Sequence, residues 1–240
     1  MSAKHRSFSD VIRTVGRRPS LGSSQGATRI YSEKFSREIA IWLRDFFRND
    51  ARGYTAMKPE GKVKTIYGTK SLDVGLVDSR GYLRLDVSIK TFNFKDTKTS
   101  NYRHNYTGRF YELLGEELDL RRSYRWATLA AFIFLPMDGA ADSEPSSFAH
   151  AVRQFSKICD KSGTWDSPEH FDHVFVVLYG TDGSLIFYDA LNSPPRKGLP
   201  TPSQSMSVFQ VLDTLNRTVD LRSSKAEADG LPVLIPFHYS

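Results

Sequence analysis

The chain has 240 residues, with 33 Lys and Arg against 27 Asp and Glu and 40% hydrophobic residues. That balance describes one large or two small globular domains and excludes a disordered or collagen-like chain. The longest apolar stretch, Trp126 to Met137, is shorter than the roughly 20 residues that cross a bilayer, so no membrane contact is expected.

No apolar signal segment opens the chain. Cys159 is its sole cysteine, which excludes an internal disulfide and a zinc-finger ligand set and points to a reducing, cytoplasmic compartment. Charge is unevenly placed. Residues 1–30 hold Lys4, Arg6, Arg13, Arg17, Arg18 and Arg29 against Asp10 alone, and residues 58–110 hold eleven basic against five acidic residues. Two basic zones on a nearly balanced remainder suit a polyanionic partner.

Residues 1–30 are rich in Ser, Arg and Gly, with an apolar scatter at Phe8, Val11 and Ile12. They read as a basic arm: a short helix, then a flexible segment through Pro19–Gly26. Residues 31–240 read as one domain. Phe35, Ile39, Trp42, Leu43 and Phe46 recur at helical spacing behind a Ser32 cap, predicting the first strong helix. The period then changes to alternation. Val63 to Tyr67 predicts a strand. Leu72, Val74 and Leu76 alternate with Asp73 and Gly75, Ser79-Arg80-Gly81 turns the chain, and Leu83, Leu85, Val87 and Ile89 alternate with Arg84, Asp86, Ser88 and Lys90. This predicts an antiparallel hairpin with one apolar and one polar face.

A polar loop follows from Asn93 to about Asn105, and then a helix over Gly108–Leu118. Ala127 to Leu135 is apolar on both faces, the mark of a central strand in a covered sheet. Phe148, Val152, Phe155 and Ile158 predict another helix. Val174–Tyr179 and Leu185–Tyr188, joined by Thr181-Asp182-Gly183, predict a second hairpin. After a proline-marked loop, Val208, Val211, Leu212, Leu215 and Val219 predict a final helix, and Leu231–Phe237 an edge strand. The whole predicts a single α/β domain with a mixed central sheet flanked by helices.

The polar face of the first hairpin is where chemistry concentrates. Residues i, i+2 and i+4 of a strand point the same way, so Asp86, Ser88 and Lys90 emerge in one row, and Asp73 lies one strand earlier. A solvated cross-strand ion pair is the structural explanation, worth a few tenths of a kcal/mol to about 1 kcal/mol. The order of elements adds a functional one. Leu72-Asp73-Val74-Gly75 and Asp86-Val87-Ser88-Ile89-Lys90, between flanking helices, resemble the PD-(D/E)xK nuclease superfamily, and most of all its type II restriction endonucleases with a Ser-x-Lys variant motif. The likeness covers residues 30–136.

The resemblance implies a restriction-endonuclease-like α/β/α core and a Mg²⁺-dependent endonuclease acting on double-stranded DNA as a homodimer. It implies Asp73 as a metal ligand and Lys90 as the residue that positions the attacking water. Leu72 stands where the family motif has Pro, and Ser88 stands where it has the second carboxylate. The missing carboxylate falls to Glu112, from the following helix, or to Asp86, with Ser88 shaping the site. Asn105, Arg109, Glu112 and Glu116 share that helix's polar face. Glu38 matches an accessory acidic position of the family.

Phosphodiester hydrolysis needs an in-line water, a lowered pKa for that water and charge stabilisation, which Mg²⁺ on one or two carboxylates with a neighbouring lysine supplies. The polar loop, with Lys95, Lys98, Tyr102, Arg103 and His104, and then Arg109, reads as a set of DNA contacts. Arg17, Arg18 and Arg29 read as an arm around the duplex. His170 and His173 lack a third ligand and read as strand-edge histidines, and Cys159 as a core or boundary thiol. Two other functions fit the same residues: a non-catalytic DNA-binding or regulatory subunit, motivated by Ser88, and a repair or defence nuclease acting on RNA or structured DNA.

Overall fold

A computed structural model describes residues 6–48, 53–161 and 170–228. Its strands are β1 (Thr55–Ala56), β2 (Gly61–Thr65), β3 (Gly68–Leu72), β4 (Val74–Val77), β5 (Leu83–Thr91), β6 (Thr128–Pro136), β7 (His173–Tyr179) and β8 (Leu185–Asp189). Its helices are α1 (Phe8–Val15), α2 (Gln25–Arg48), α3 (Tyr106–Ser123), α4 (Ser147–Phe155) and α5 (Val208–Ala228).

The apolar run at the middle of the chain becomes the centre of a six-stranded sheet ordered β1-β4-β5-β6-β7-β8. β6 pairs in parallel with β5 and β7, and the outer pairs are antiparallel. Strict alternation along β6 sends Leu129, Ala131, Ile133 and Leu135 into one core and Ala130, Phe132 and Phe134 into the other. α3 and α4 cover the first core, and α1, α2 and α5 the second. The expected α/β domain with a mixed sheet and helices on both sides is therefore present. No described helix is long and apolar enough to cross a membrane.

The short helix expected in the N-terminal arm is present as α1, and it is docked against α2 and the sheet. Ser7 and Asp10 form a reciprocal capping box at the start of α1, which satisfies two otherwise orphaned donors. Phe8, Val11 and Val15 are buried, and Phe8 meets Phe35, Trp42, Phe134 and Tyr179 edge-on or stacked. Gly183, with φ of +87°, turns the β7–β8 hairpin against α1, where a Cβ would fall 2.2 Å from Ser9 Oγ. Only glycine suits that turn and that approach.

α2 also starts seven residues before the expected Ser32 cap. Gln25 to Thr28 carry no apolar stripe, yet once the Phe35 face is docked each added turn costs little, and Arg29 pairs with Glu33 at 2.7 Å along it. The expected strand edge over Leu231–Phe237 lies outside the described residues.

Two differences shape the site. The expected strand through Leu72 and Val74 is broken at Asp73: β3 pairs only with β2 in a separate two-stranded sheet, and β4 begins one residue later in the main sheet. In addition, the polar face of β5 is not solvated. Leu85, Val87 and Ile89 enter the α2 side, so Asp86, Ser88 and Lys90 face α3, at 1%, 4% and 7% exposure.

Candidate active site

Asp73 occupies the residue where the chain leaves one sheet for the other. β4 stays paired with β5 only from Val77 to Val74, opposite Val87. Beyond that point β5 has lost its antiparallel partner, and the Asp73 carboxylate takes over: Ile89 N–H donates to its Oδ2 at 2.7 Å. A broken strand thus turns a side chain into a substitute backbone acceptor and fixes its orientation. Burial pushes the Asp73 carboxyl up, against the opposing pull of that hydrogen bond and of Lys90.

Asp86 lies deeper. Its partner across the strands is Gly75, which brings no side chain, and Leu72 and Met57 close over that space. Burial first, then the charges of Glu116 and Asp73, raise its carboxyl to about 8. Its Oδ1 has no hydrogen-bond partner among the described residues. The Ser88 hydroxyl donates toward Asp86 Oδ2 at 3.2 Å and Glu116 Oε2 at 3.0 Å. One hydroxyl proton serves one acceptor at a time, so a proton held by Asp86 completes the set near neutrality.

Lys90 closes the row. Its Nζ donates to Glu112 Oε1 at 2.8 Å and to Glu116 Oε1 at 3.0 Å. Burial opposes its charge, but Glu116 and Glu112 outweigh that and hold its pKa above the ordinary lysine value. Lys70, from β3, stands 3.5 Å from Glu116. Asp73, Asp86, Ser88, Lys90, Lys70 and Glu116 line a single cavity of about 640 Å³ with the start of α2 along its other wall.

The helix carboxylate at the centre of this group is Glu116, one turn beyond the expected Glu112. Glu112 lies at the rim, is more exposed and is shared between Lys90 and Arg109 Nη1. Burial raises its carboxyl, but Lys90 and Arg109 more than reverse that and hold it low. Glu116 and Lys70 are the residues that the sequence reading did not select. Glu116 carried a signal, four residues after Glu112 on one helical face, and Lys70 carried only its nearness to Asp73.

Other expected site residues lie elsewhere. Glu38 pairs with Arg6 Nη1 at 2.7 Å and does not line the cavity, so it pins the N-terminal segment and is not placed as an accessory acid. Tyr102 is buried, its hydroxyl donating to Asp138 at 2.8 Å, and Arg103 Nη2 donates to Ser143 and to Pro145 O at 2.6 Å. Both anchor the polar loop, because a loop without apolar neighbours needs some side chain to tie it down. Lys95 pairs with Asp138 at 2.9 Å. Lys98 and His104 are exposed on the loop, and Arg109 reaches the cavity rim. His173 is bonded to Thr218 at 2.7 Å, and Cys159 is buried.

The chain has no match among family models, curated proteins or solved structures. Function is therefore read from the cavity's own chemistry.

Asp73 and Asp86, both raised by burial and by the neighbouring Glu116 charge, and the unpartnered buried oxygen of Asp86, offer the oxygen donors that a hard divalent cation takes. Oxygen donors are the kind that Mg²⁺ takes. Among the described residues no three His, Cys, Asp or Glu side chains stand close enough to enclose a metal; here Lys90 and Lys70 hold Glu116.

The raised carboxyl of Asp86 has a consequence for stability. A group whose folded pKa is raised contributes stability fully below its unfolded pKa near 3.8 and loses it as pH climbs through about 8. Metal-free protein is therefore expected to weaken between about pH 4 and pH 8, and Asp86→Asn to weaken less. At roughly 1.4 kcal/mol per pKa unit the difference reaches at most about 6 kcal/mol. Urea unfolding of both proteins in EDTA across that range checks this, and parallel pH profiles would refute it.

Proposed function

We propose that the protein is a Mg²⁺-dependent endonuclease that hydrolyses phosphodiester bonds of double-stranded DNA on a restriction-endonuclease-like core. One observation carries the proposal: the Asp73, Asp86 and Lys90 side chains of the Asp…Ser-x-Lys pattern meet in one cavity, where Glu116 accepts hydrogen bonds from Ser88 and Lys90. Bound Mg²⁺ supplies charge neutralisation at the phosphoryl oxygens and a more acidic water. Asp73, Asp86 and Glu116 are the residues that would hold it.

The protein's own groups do the rest. The Asp73 orientation is fixed by Ile89 N–H, so this donor is preorganised before any ligand arrives. Lys90 carries the ammonium that would face the attacking water and the developing phosphoryl charge. Ser88 donates its hydroxyl proton to Asp86 or to Glu116 and so links the two carboxylates. Arg109 at the rim offers a guanidinium to a flanking phosphate. Cutting both strands of a duplex takes two such sites, which a two-fold homodimer provides.

The test is incubation of the protein with a long mixed-sequence DNA in Mg²⁺ or EDTA, beside Lys90→Ala. Discrete Mg²⁺-dependent fragments, lost by about 10²-fold or more in the variant, are the expected result. DNA retained in a gel shift with no cleavage under any metal would overturn the catalytic reading and favour a DNA-binding subunit.

A further inference from the structure

A second cavity, of about 790 Å³, opens beyond the carboxyl ends of β6 and β7, between α1, the segment after it and the β7–β8 turn. In open α/β sheets this edge is where ligands are received. Its wall carries Arg13, Arg17, Arg18 and Tyr31 against Asp138 and Asp182. Both acids already have partners: Asp138 is held by Lys95 at 2.9 Å and by Tyr102, and Asp182 by Ser184. Arg13 is paired with Asp10.

Two cations are left over. Arg17 is exposed and makes no ion pair or hydrogen bond with any described residue. Arg18 is half-buried, its Nη1 donating to Asn93 O at 3.2 Å and to Tyr102 OH at 3.3 Å. The Tyr179 hydroxyl also lies beside its guanidinium, and the Asp138 charge is nearby, but no carboxylate forms an ion pair with it among the described residues. A guanidinium fixed by neutral oxygens, without a carboxylate bound to it, keeps its charge for a phosphate oxygen.

The partition between this cavity and the carboxylate cavity is thin. Asn93 is buried, and besides receiving Arg18 it donates to Ser32 Oγ and Thr91 Oγ1 at 3.2 Å each and accepts from Tyr179 OH at 2.8 Å. Ser32 and Thr91 line the carboxylate cavity, and Tyr179 lines the arginine cavity. Adjacent strand ends lie about 5–10 Å apart over one or two strand spacings, a few nucleotides at about 3.4 Å each.

We infer that Arg17 and Arg18 form a phosphate-binding pocket for the sugar-phosphate backbone of the strand whose scissile bond lies in the carboxylate cavity. This rests on the nuclease reading and extends it with a register clamp away from the reacting atoms. The arginines are thereby part of a built pocket on the sheet edge, and not of a free arm around the duplex.

Binding of a fluorescein-labelled mixed-sequence DNA duplex to the full chain in EDTA, followed by anisotropy from low to moderate salt, tests it separately from cleavage. Arg17→Glu, at an exposed position that leaves packing intact, is expected to weaken binding about 10-fold. Arg17→Ala is expected to weaken it about threefold and lower the magnitude of the salt slope by about one. Unchanged affinity and slope in both variants would overturn the pocket while leaving the nuclease reading to the Lys90→Ala cleavage result. A wild-type protein that neither binds nor cuts DNA would overturn both. Competition by inorganic phosphate or a mononucleotide at the concentration where the duplex competes would overturn the assignment to a strand backbone.

Discussion

Glu116→Gln is expected to reduce Mg²⁺-dependent DNA cleavage by about 10²-fold or more, while Glu112→Gln reduces it by less than about 10-fold. Glutamine keeps the size and one acceptor, so Ser88 and Lys90 retain a partner and the fold is retained. What it removes is the negative charge that Lys90, Lys70, Asp73 and Asp86 all experience. Glu112 sits at the rim with Arg109 and lacks contact with Ser88, so its loss leaves the inner carboxylates unchanged. Steady-state cleavage of one duplex by the two variants, with thermal unfolding as the control for folding, separates them. The reverse order of damage would return the carboxylate to Glu112 and make Glu116 a clamp on Lys90.

The row Asp86, Ser88, Lys90 was legible because a strand has period two and no neighbouring element alters which residues share a face. Its burial was not legible, since that depends on α3 lying across it, and the same alternating pattern serves a wet hairpin equally well. Asp73 shows a similar limit. Its place between apolar residues suggests a mid-strand side chain, whereas the chain changes sheets there and the carboxylate serves β5.

Choosing between Glu112 and Glu116 required the axial position of α3. Residues i and i+4 share a face but stand about 6 Å apart along the helix, and tertiary contacts set which of them meets the strand. The N-terminal segment was different, because the evidence for it was present in the sequence. Ser7-Phe8-Ser9-Asp10 ahead of Val11 is a helix-start pattern with its own mechanism; the short helix was expected there, and its docking was not. Tyr102 misled for a chemical reason: an aromatic among lysines and asparagines is suited either to nucleic acid or to anchoring its own loop, and here Asp138 and Arg18 take its hydroxyl.

The axial position of α3 has an identifiable cause on its far turn, and with it comes a large expected effect on stability. Asp172, immediately before β7, is almost fully buried. Its Oδ1 accepts from Arg222 Nε at 3.0 Å and also from Arg222 Nη2, and its Oδ2 accepts from Arg121 Nη2 at 3.1 Å and from Leu129 N–H at 2.8 Å. One carboxylate thus joins α3, β6, β7 and α5. Arg121 is also 3.5 Å from the buried Glu117 and donates to Ala127 O at 2.7 Å.

Asp172→Ala leaves two buried guanidinium groups with too little compensating charge and is expected to destabilise the protein by about 3–5 kcal/mol, a large fraction of the 5–15 kcal/mol typical of a domain. Asp172→Asn, which keeps an acceptor for Leu129 N–H, is expected to lose less. Urea unfolding reads both, and an unchanged midpoint for Asp172→Ala would show that neighbouring carbonyls suffice to hold the arginines. Because Glu116 lies on the same helix as Arg121, the folded fraction of Asp172→Ala is also expected to cut DNA more slowly per folded molecule, the helix no longer being held in register with Ser88 and Lys90.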